Sequence, residues 1–258
     1  MEVFVARSEE EVKLAHARLA AALQLGCDTE TSGFTARSSR LYSVQFSDGE
    51  FNVLIPVSEG VSLGPLADIL SDPGITKIFH NAKFDLEFLT DAGCVVNNLF
   101  DTMIAEKVLT RGAKQSSSLA ETLYRYFAVD LDKSQRAKFS RKWDGVWTNE
   151  LVNYALSDVI HLPRLMSEQT AWMKKLGLDE EFEQQMSKIL PANNANDAVV
   201  IPAGARHNVI NTSATEDLKL YTIYSPPHHK DQIVRKTKEE AEANDEEFDG
   251  KMTEKRKR

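Results

Sequence analysis

The sequence predicts an α/β fold in which a mixed β-sheet is flanked by helices. Short apolar segments typical of strands dominate the first 80 residues, and helical patterns then dominate to about residue 190. The composition, with 42% hydrophobic and 27% charged residues, is that of an ordinary globular chain. A sheet with helices packed on it is the usual way to bury such a series of elements.

The first two elements are a strand and a capped helix. VFVA is a short apolar run, and SEEEVKLAHARLAAAL has helical spacing. Ser8 and Glu11 form an S-x-x-E capping box, in which each side chain satisfies a backbone N–H at the helix start. We therefore expect the helix to begin directly after Ser8.

Three strands follow and predict an antiparallel meander. LQLGCDTE, LYSVQFSDG and EFNVLIPV are apolar runs, and the second and third are joined by a Ser-Asp-Gly turn. A meander pairs consecutive strands, so these three segments are expected to be neighbours in one sheet.

The remaining elements are mainly helical. LGPLADILSD predicts a helix that ends at Pro73-Gly74, and ITKIFHN predicts another strand. Five helices are then expected, in the segments AKFDLEFLTDAG, FDTMIAEKVL, SLAETLYRYFA, NELVNYALSDVIHLPRLMSEQTAWMKKLG and EEFEQQMSKIL.

The character of the sequence changes after residue 190. PANNAND has the composition of a connector, and residues 195–230 contain short alternating β segments. Residues 231–258 are rich in charge and poor in apolar positions, which predicts a disordered tail. We thus expect a domain over residues 1–190, a small β segment and a tail.

The bulk properties exclude some classes of protein. A net charge of −8 argues against binding nucleic acid through a general basic field, although it does not exclude a nucleic acid substrate. No apolar run has the length of a membrane span, and the N-terminus lacks the features of a signal peptide. Two cysteines are too few for a disulfide framework, so a cytoplasmic location is expected.

Two carboxylates end the LQLGCDTE strand. Asp28 and Glu30 are two residues apart, so both side chains lie on the same face of the strand. Like charges placed together are costly unless a cation lies between them, and a divalent ion with oxygen ligands is the usual solution. The alternative is a turn with solvated charges, because D-x-E is a common triplet.

Two later segments carry further candidate residues. Asp85 lies one turn into the AKFDLEFL helix, with Asn81 four residues before it. Tyr154 and Asp158 are four residues apart, which places both on one face of one predicted helix. Taken singly, Asp158 is equally consistent with a surface charge and Tyr154 with a packing residue.

The three segments in this order resemble the motifs of the DEDD-type 3′–5′ exonucleases with tyrosine in the third motif. Ribonuclease D and the proofreading domain of family A DNA polymerases are the members that DTETSGF, HNAKFDLEFL and YALSDVIHL most resemble. The resemblance covers roughly residues 1–190. It implies a ribonuclease H-like sheet and the hydrolysis of phosphodiester bonds.

The resemblance also implies a metal centre with two Mg²⁺ or Mn²⁺ ions. In such a centre Asp28 bridges both ions, Glu30 and Asp158 complete the first site, and Asp85 holds the second. Tyr154 orients the attacking water, since a phenol with a pKa near 10 is a poor base at neutral pH.

The expected substrate is a single strand, shortened from its 3′ end to release nucleoside 5′-monophosphates. Phe34 is a candidate to stack on the terminal base, with plain packing as its alternative, and Asn81 is expected beside the substrate. DNA is favoured, with a role beside a polymerase in DNA replication. An exoribonuclease similar to ribonuclease D and a non-catalytic nucleic-acid-binding module remain alternatives.

A second resemblance concerns residues 195–230. The pattern P-x-G-x-x-H-x-x-x-N, formed by Pro202, Gly204, His207 and Asn211, is similar to the second motif of cupin barrels. The earlier motif with two histidines and a glutamate is missing, which argues against a cupin-type metal enzyme. The expectation is an incomplete half-barrel that allows self-association through exposed strand edges.

Overall fold

The computed structural model describes residues 2–111 and 113–189, which form a mixed sheet with helices on both faces. The strands are β1 (Glu2–Val5), β2 (Gln24–Thr31), β3 (Leu41–Ser47), β4 (Phe51–Ile55), β5 (Thr76–Phe79) and β6 (Leu99–Asp101). The α-helices are α1 (Glu9–Leu19), α2 (Leu66–Ser71), α3 (Ala82–Asp91), α4 (Thr102–Thr110), α5 (Leu119–Phe127), α6 (Asn149–Ser157), α7 (Leu162–Leu176) and α8 (Asp179–Met186).

The six strands form one sheet in the order β1-β4-β3-β2-β5-β6. β2, β3 and β4 are antiparallel neighbours, which confirms the predicted meander. The other pairs are parallel, with β1 against β4, β5 against β2, and β6 against β5. The sheet is therefore mixed, as expected, and β2 lies in its interior with a neighbour on each side.

Two apolar clusters cover the two faces of the sheet. One face carries Cys27, Phe46 and Val53 and packs against α1, α2 and α3. The other face carries Leu54, Ile78 and Phe100 and packs against the later helices. Cys27 is fully buried, so it faces the apolar core and not the neighbouring carboxylates. The capping box also forms, because Ser8 Oγ accepts from the Glu11 N–H and the Glu11 side chain accepts from Ser8.

The single long helix predicted for residues 149–177 is wrong. The structure contains two helices, α6 and α7, separated by a turn at residues 158–161. Pro163 explains the break, because proline has no N–H to donate to the carbonyl of Val159 and its ring clashes with that carbonyl in a continuous helix. Asp158 is thus the residue that caps the C-terminus of α6 and does not lie within a helix.

The helix predicted from Phe100 begins later than expected. Phe100 and Asp101 belong to β6, the sixth strand, and the helix starts at Thr102. Asp101 caps that helix by accepting hydrogen bonds from the N–H groups of Met103 and Ile104. A three-residue strand leaves almost no periodic signal, which is why the sequence pattern assigned these residues to the helix.

The predicted half-barrel and the predicted charged tail lie outside the described residues, and both remain predictions. Within the described ranges, no helix combines the length and the apolar character that crossing a membrane requires.

Candidate active site

Asp28 and Glu30 project from one face of β2, as their spacing predicts. They lie opposite Gln45 and Ser43 of the neighbouring strand β3, and opposite residues of paired strands share a face. Within the described residues neither carboxylate accepts a hydrogen bond. The buried Gln45 Oε1 on the same face also has no donor. This face of the sheet therefore presents several oxygen acceptors that receive no hydrogen bond from the described part of the chain.

Asp158 joins these two carboxylates from the turn between α6 and α7. One carboxylate oxygen from each of Asp28, Glu30 and Asp158 lies within 4.8 Å of the other two. We call these three residues the carboxylate cluster.

Gly26 explains how the turn that carries Asp158 approaches the sheet so closely. A Cβ at Gly26 would lie only 2.4 Å from the backbone oxygen of Val159 and 3.1 Å from Leu162 Cβ. Only glycine allows this contact. Gly26 lies two residues before Asp28, and Val159 follows Asp158 directly. The spacing of the motifs gave no indication of this role, because the contact joins distant parts of the chain.

Asp85 lies next to the carboxylate cluster but outside it. The residue is buried in the first turn of α3, and its Oδ1 accepts a 2.7 Å hydrogen bond from Thr29 Oγ1. Thr29 lies between the two cluster residues of β2 and points to the opposite face. The structure thus brings three of the four predicted acids together. The fourth, Asp85, is held by a hydrogen bond to β2, the strand that carries Asp28 and Glu30.

The electrostatics of the cluster follow from burial and from the repulsion of like charges. Burial, followed by the charges of Asp85, Asp158 and Glu30, raises the pKa of Asp28 well above its usual range. Burial and the nearby Asp158 raise the pKa of Glu30 to about 8. Burial also raises the pKa of Asp85 to about 7, although its hydrogen bond from Thr29 opposes the shift. Burial is the largest cause of each shift, and nearby acids add to it.

Lys133 is the positive group that contacts the cluster. Its Nζ donates to Asp158 Oδ1, and its positive charge opposes the rise in the pKa of Asp28 and of Glu30. Burial raises the pKa of Asp158, and Lys133 is the main influence against that shift. Lys133 lies in the segment between α5 and α6, outside the three sequence motifs.

Tyr154 lies on α6 beside the cluster. The centre of its ring lies 5.7 Å from the centre of the Phe139 ring, and Lys133 Nζ lies 5.4 Å from the centre of the Tyr154 ring. Burial, and then the charges of Glu30 and Asp158, raise the pKa of the phenol. The hydroxyl therefore keeps its proton at neutral pH and is able to donate a hydrogen bond.

The two predicted substrate residues lie in different surroundings. The Phe34 side chain is 81% exposed, so the alternative that it is a packing residue is wrong. Asn81 is exposed, adopts the left-handed conformation (φ 73°), and donates its backbone N–H to Asp101 Oδ1. Asparagine tolerates this conformation better than most residues.

The two nearby histidines have structural environments. His80 Nε2 donates to the carbonyl of Ser117, and Nδ1 lies 2.9 Å from Thr102 Oγ1. Burial lowers the pKa of His80 to about 4, so the ring is neutral at physiological pH. His161 precedes α7 at the turn, and burial lowers its pKa as well.

Residues 133–142 form a basic segment in an acidic chain. KSQRAKFSRK contains five lysines and arginines, whereas the whole chain has a net charge of −8. Arg136 influences the pKa of Glu30 and of Tyr154, and Arg141 donates to the Ser38 carbonyl at 2.7 Å. A local count of charge would have found this segment, which the net charge of the chain conceals.

The donor set of the cluster fits a divalent cation. Three carboxylate oxygens converge, one ammonium opposes them, and two of the carboxylates have no hydrogen-bond donor among the residues that the structure describes. Hard divalent ions such as Mg²⁺ prefer oxygen ligands of this kind. The alternative of a turn with solvated charges at Asp28 and Glu30 does not agree with this convergence.

Comparison with known proteins agrees with this geometry. Residues 3–171 match the family described as 3'-5' exonuclease. Ribonuclease D from Jannaschia sp. (strain CCS1) is 32% identical over 161 residues, which are 61% of this chain and 39% of the relative. DNA polymerase I from Aquifex aeolicus (strain VF5) is 31% identical over 181 residues, which are 70% of this chain and 29% of the polymerase. The chain thus spans well under half the length of either relative.

A solved structure extends the comparison. NrnC from Brucella melitensis, bound to pGG, is 28% identical with a TM-score of 0.62, and the match covers 73% of this chain and 88% of NrnC. Another structure of the same protein contains bound Mg²⁺. The family match includes every residue of the carboxylate cluster as well as Asp85 and Tyr154. The chain belongs to the 3′–5′ exonuclease family.

Proposed function

We propose that this chain is an exoribonuclease that shortens single-stranded RNA from its 3′ end and releases nucleoside 5′-monophosphates. The observation that carries the proposal is the convergence of Asp28, Glu30 and Asp158 beside the protonated phenol of Tyr154. The sequence interpretation favoured DNA and a role in DNA replication. The ribonuclease D relative and the pGG-bound NrnC favour RNA, and we adopt that alternative.

The acids are proposed to hold two Mg²⁺ or Mn²⁺ ions. Asp28 would contact both ions, Glu30 and Asp158 would complete the first site, and Asp85 would serve the second. When bound, such ions supply an activated water and stabilise negative charge on the leaving oxygen. The hydrogen bond from Thr29 holds Asp85 against β2, the strand that carries Asp28 and Glu30.

Tyr154 is proposed to orient the attacking water. Its raised pKa keeps the hydroxyl protonated, so the phenol can donate a hydrogen bond but does not act as a base. The ring is fixed by its contact with Phe139, which limits the positions of the hydroxyl. A fixed donor reduces the orientations that the water must search before reaction.

The substrate is proposed to contact Phe34, Asn81 and the basic segment 133–142. Phe34 exposes its ring, which suits stacking on a base without regard to sequence. The basic segment provides cations for phosphates near the carboxylate cluster. These contacts describe a grip on a flexible single strand, since none of them requires a base pair.

A second candidate is an enzyme for very short RNA. This chain covers 88% of NrnC, a protein seen with the short molecule pGG, but only 39% of the ribonuclease D relative. Both candidates use the same carboxylate cluster and differ in the length of RNA that they prefer.

A nuclease assay with a 5′-labelled strand tests the proposal. The full chain with Mg²⁺ should convert a labelled 20-nucleotide RNA into a ladder that shortens from the 3′ end, and EDTA should stop the reaction. Matched DNA, duplex RNA and dinucleotide substrates rank the candidates by kcat/KM. Faster hydrolysis of DNA than of RNA would overturn the proposed substrate, and binding without hydrolysis would indicate a non-catalytic module.

A further inference from the structure

Lys133 lies close to both candidate residues of the third motif, Tyr154 and Asp158. Its Nζ forms an ion pair with Asp158 and lies 5.4 Å from the ring centre of Tyr154. Its side chain is 33% exposed, and that of Asp158 is 14% exposed. The pair therefore sits at the edge of the cluster, where an ammonium group can enter and leave on its flexible stem.

The influence of Lys133 extends beyond its contact with Asp158. Its charge also acts on Asp28 and on Glu30, the two carboxylates that have no hydrogen-bond donor among the described residues. Within the described part of the chain, Lys133 is the cation that forms an ion pair with the cluster. It thus provides local positive charge in a group that otherwise consists of mutually repelling acids.

An ammonium and a divalent ion cannot both occupy the same position on a carboxylate oxygen. Lys133 donates to Asp158 Oδ1, and a bound ion would need oxygen lone pairs of the same cluster. Any group that stabilises the ion-free state at this position must lower the affinity for the ion. Competition between the two cations follows from their shared partner.

We propose that Lys133 is a positioning residue that holds Asp158 and the cluster together before ions bind and is displaced from Asp158 when they do. The inference rests on the proposed divalent-ion site and not on the identity of the substrate. It adds to the family motifs a residue from a segment that those motifs do not include.

Calorimetric titration of the full chain with Mn²⁺, without substrate, tests the inference. In Lys133→Met the competing charge is gone, so Mn²⁺ should bind about tenfold more tightly than in the unchanged protein. Lys133→Arg should bind Mn²⁺ no more tightly than the unchanged protein, because a guanidinium pairs with a carboxylate through two hydrogen bonds. Lys13→Met, on the exposed side of α1, removes the same charge elsewhere and should leave the affinity unchanged.

Thermal unfolding provides a second measurement. In EDTA, Lys133→Met should unfold at a lower temperature than the unchanged protein, and saturating Mn²⁺ should raise its unfolding temperature by a larger amount. Equal or weaker Mn²⁺ binding by Lys133→Met would overturn the inference. Tighter Mn²⁺ binding by Lys133→Arg than by the unchanged protein would overturn the inference as well. Lys133→Arg keeps the positive charge, so this test remains available if Lys133→Met fails to fold.

Different results would contradict the proposed divalent-ion site and the proposed role of Lys133. If Asp28→Ala binds Mn²⁺ as tightly as the unchanged protein, the proposed ion site itself is wrong. If Asp28→Ala loses binding while Lys133→Met and the unchanged protein have equal affinities, only the role of Lys133 is wrong.

Discussion

Two groups of acids in this molecule differ in the hydrogen bonds that their carboxylates accept. Glu106 on α4 is buried, and its carboxylate accepts from Arg125 Nη2 at 2.9 Å and from Gln169 Nε2 at 3.2 Å. Asp101 is also buried and accepts from four backbone N–H groups. In the carboxylate cluster, by contrast, Asp28 and Glu30 accept from no described residue.

The difference separates acids that stabilise the fold from acids that are available to a ligand. A buried carboxylate with a full set of donors contributes to stability, and removing it leaves the donors unpaired. A carboxylate surrounded by other acids lowers stability, because burial and repulsion both oppose its charge. Replacing members of the two groups should therefore change stability in opposite directions.

The largest expected effect comes from Asp28→Ala. We expect turnover to fall by more than about 1000-fold, because this acid is proposed to contact both ions. Its unfolding temperature in EDTA should be equal to or higher than that of the unchanged protein, since the repulsion in the cluster is relieved. Nuclease rates with Mg²⁺ and thermal unfolding in EDTA measure the two quantities. A clear loss of stability in Asp28→Ala would show that Asp28 stabilises the fold as Glu106 does, which would contradict the proposed difference between the two groups of acids.

Tyr154→Phe should have the next largest effect. The change removes one hydroxyl and keeps the ring that packs on Phe139, so the fold should survive. A positioned hydrogen bond to water is commonly worth about 10- to 1000-fold in rate. Steady-state kinetics should show a lower kcat with KM nearly unchanged. An unaltered kcat would make Tyr154 a packing residue.

Gly26→Ala tests whether the cluster depends on the approach of the α6–α7 turn. The added Cβ would lie 2.4 Å from the Val159 oxygen, so the turn that carries Asp158 must move away from β2. We expect turnover to fall by about tenfold, because small displacements of a catalytic group are costly. Gly74→Ala is a suitable control, since its Cβ would meet only the side chain of Asp72. Equal kcat/KM for both variants would show that the close approach does not matter.

Glu106→Gln should have the smallest effect on activity and an effect of opposite sign on stability. It removes the charge that pairs with Arg125, and we expect the free energy of unfolding to fall by about 2 kcal/mol. Chemical denaturation measures this loss, and nuclease rates well below the unfolding temperature should be unchanged. If Glu106→Gln is as stable as the unchanged protein, the presence of hydrogen-bond donors does not by itself distinguish the two groups of acids.

The sequence predicted those parts of the molecule that depend on local patterns. The period of two in a strand places Asp28 and Glu30 on one face, and the S-x-x-E spacing predicts the cap at Ser8. The mixed sheet and its meander follow from the order of apolar runs. The first two features are encoded within a few neighbouring residues, and the meander pairs strands that are consecutive in the chain, so the pattern is sufficient.

Other parts depend on contacts between distant segments, which no local pattern contains. The ion pair between Lys133 and Asp158 joins two segments whose separation is set by the packing of α6. The need for glycine at position 26 arises only when the turn at Val159 is placed against it. The break at residues 158–161 is different, because Pro163 was visible in the sequence and its effect on the preceding turn could have been predicted.

The contact between Gly26 and Val159 also has a consequence for the time at which the enzyme becomes active during its synthesis. Four strands and five α-helices separate β2 from the turn that carries Asp158. At ordinary rates of translation, the ribosome needs on the order of ten seconds to make this intervening length of chain. A nascent chain that already contains Asp28 and Glu30 lacks the third acid until that turn has emerged. We therefore expect a nascent chain that ends before this turn to have no nuclease activity.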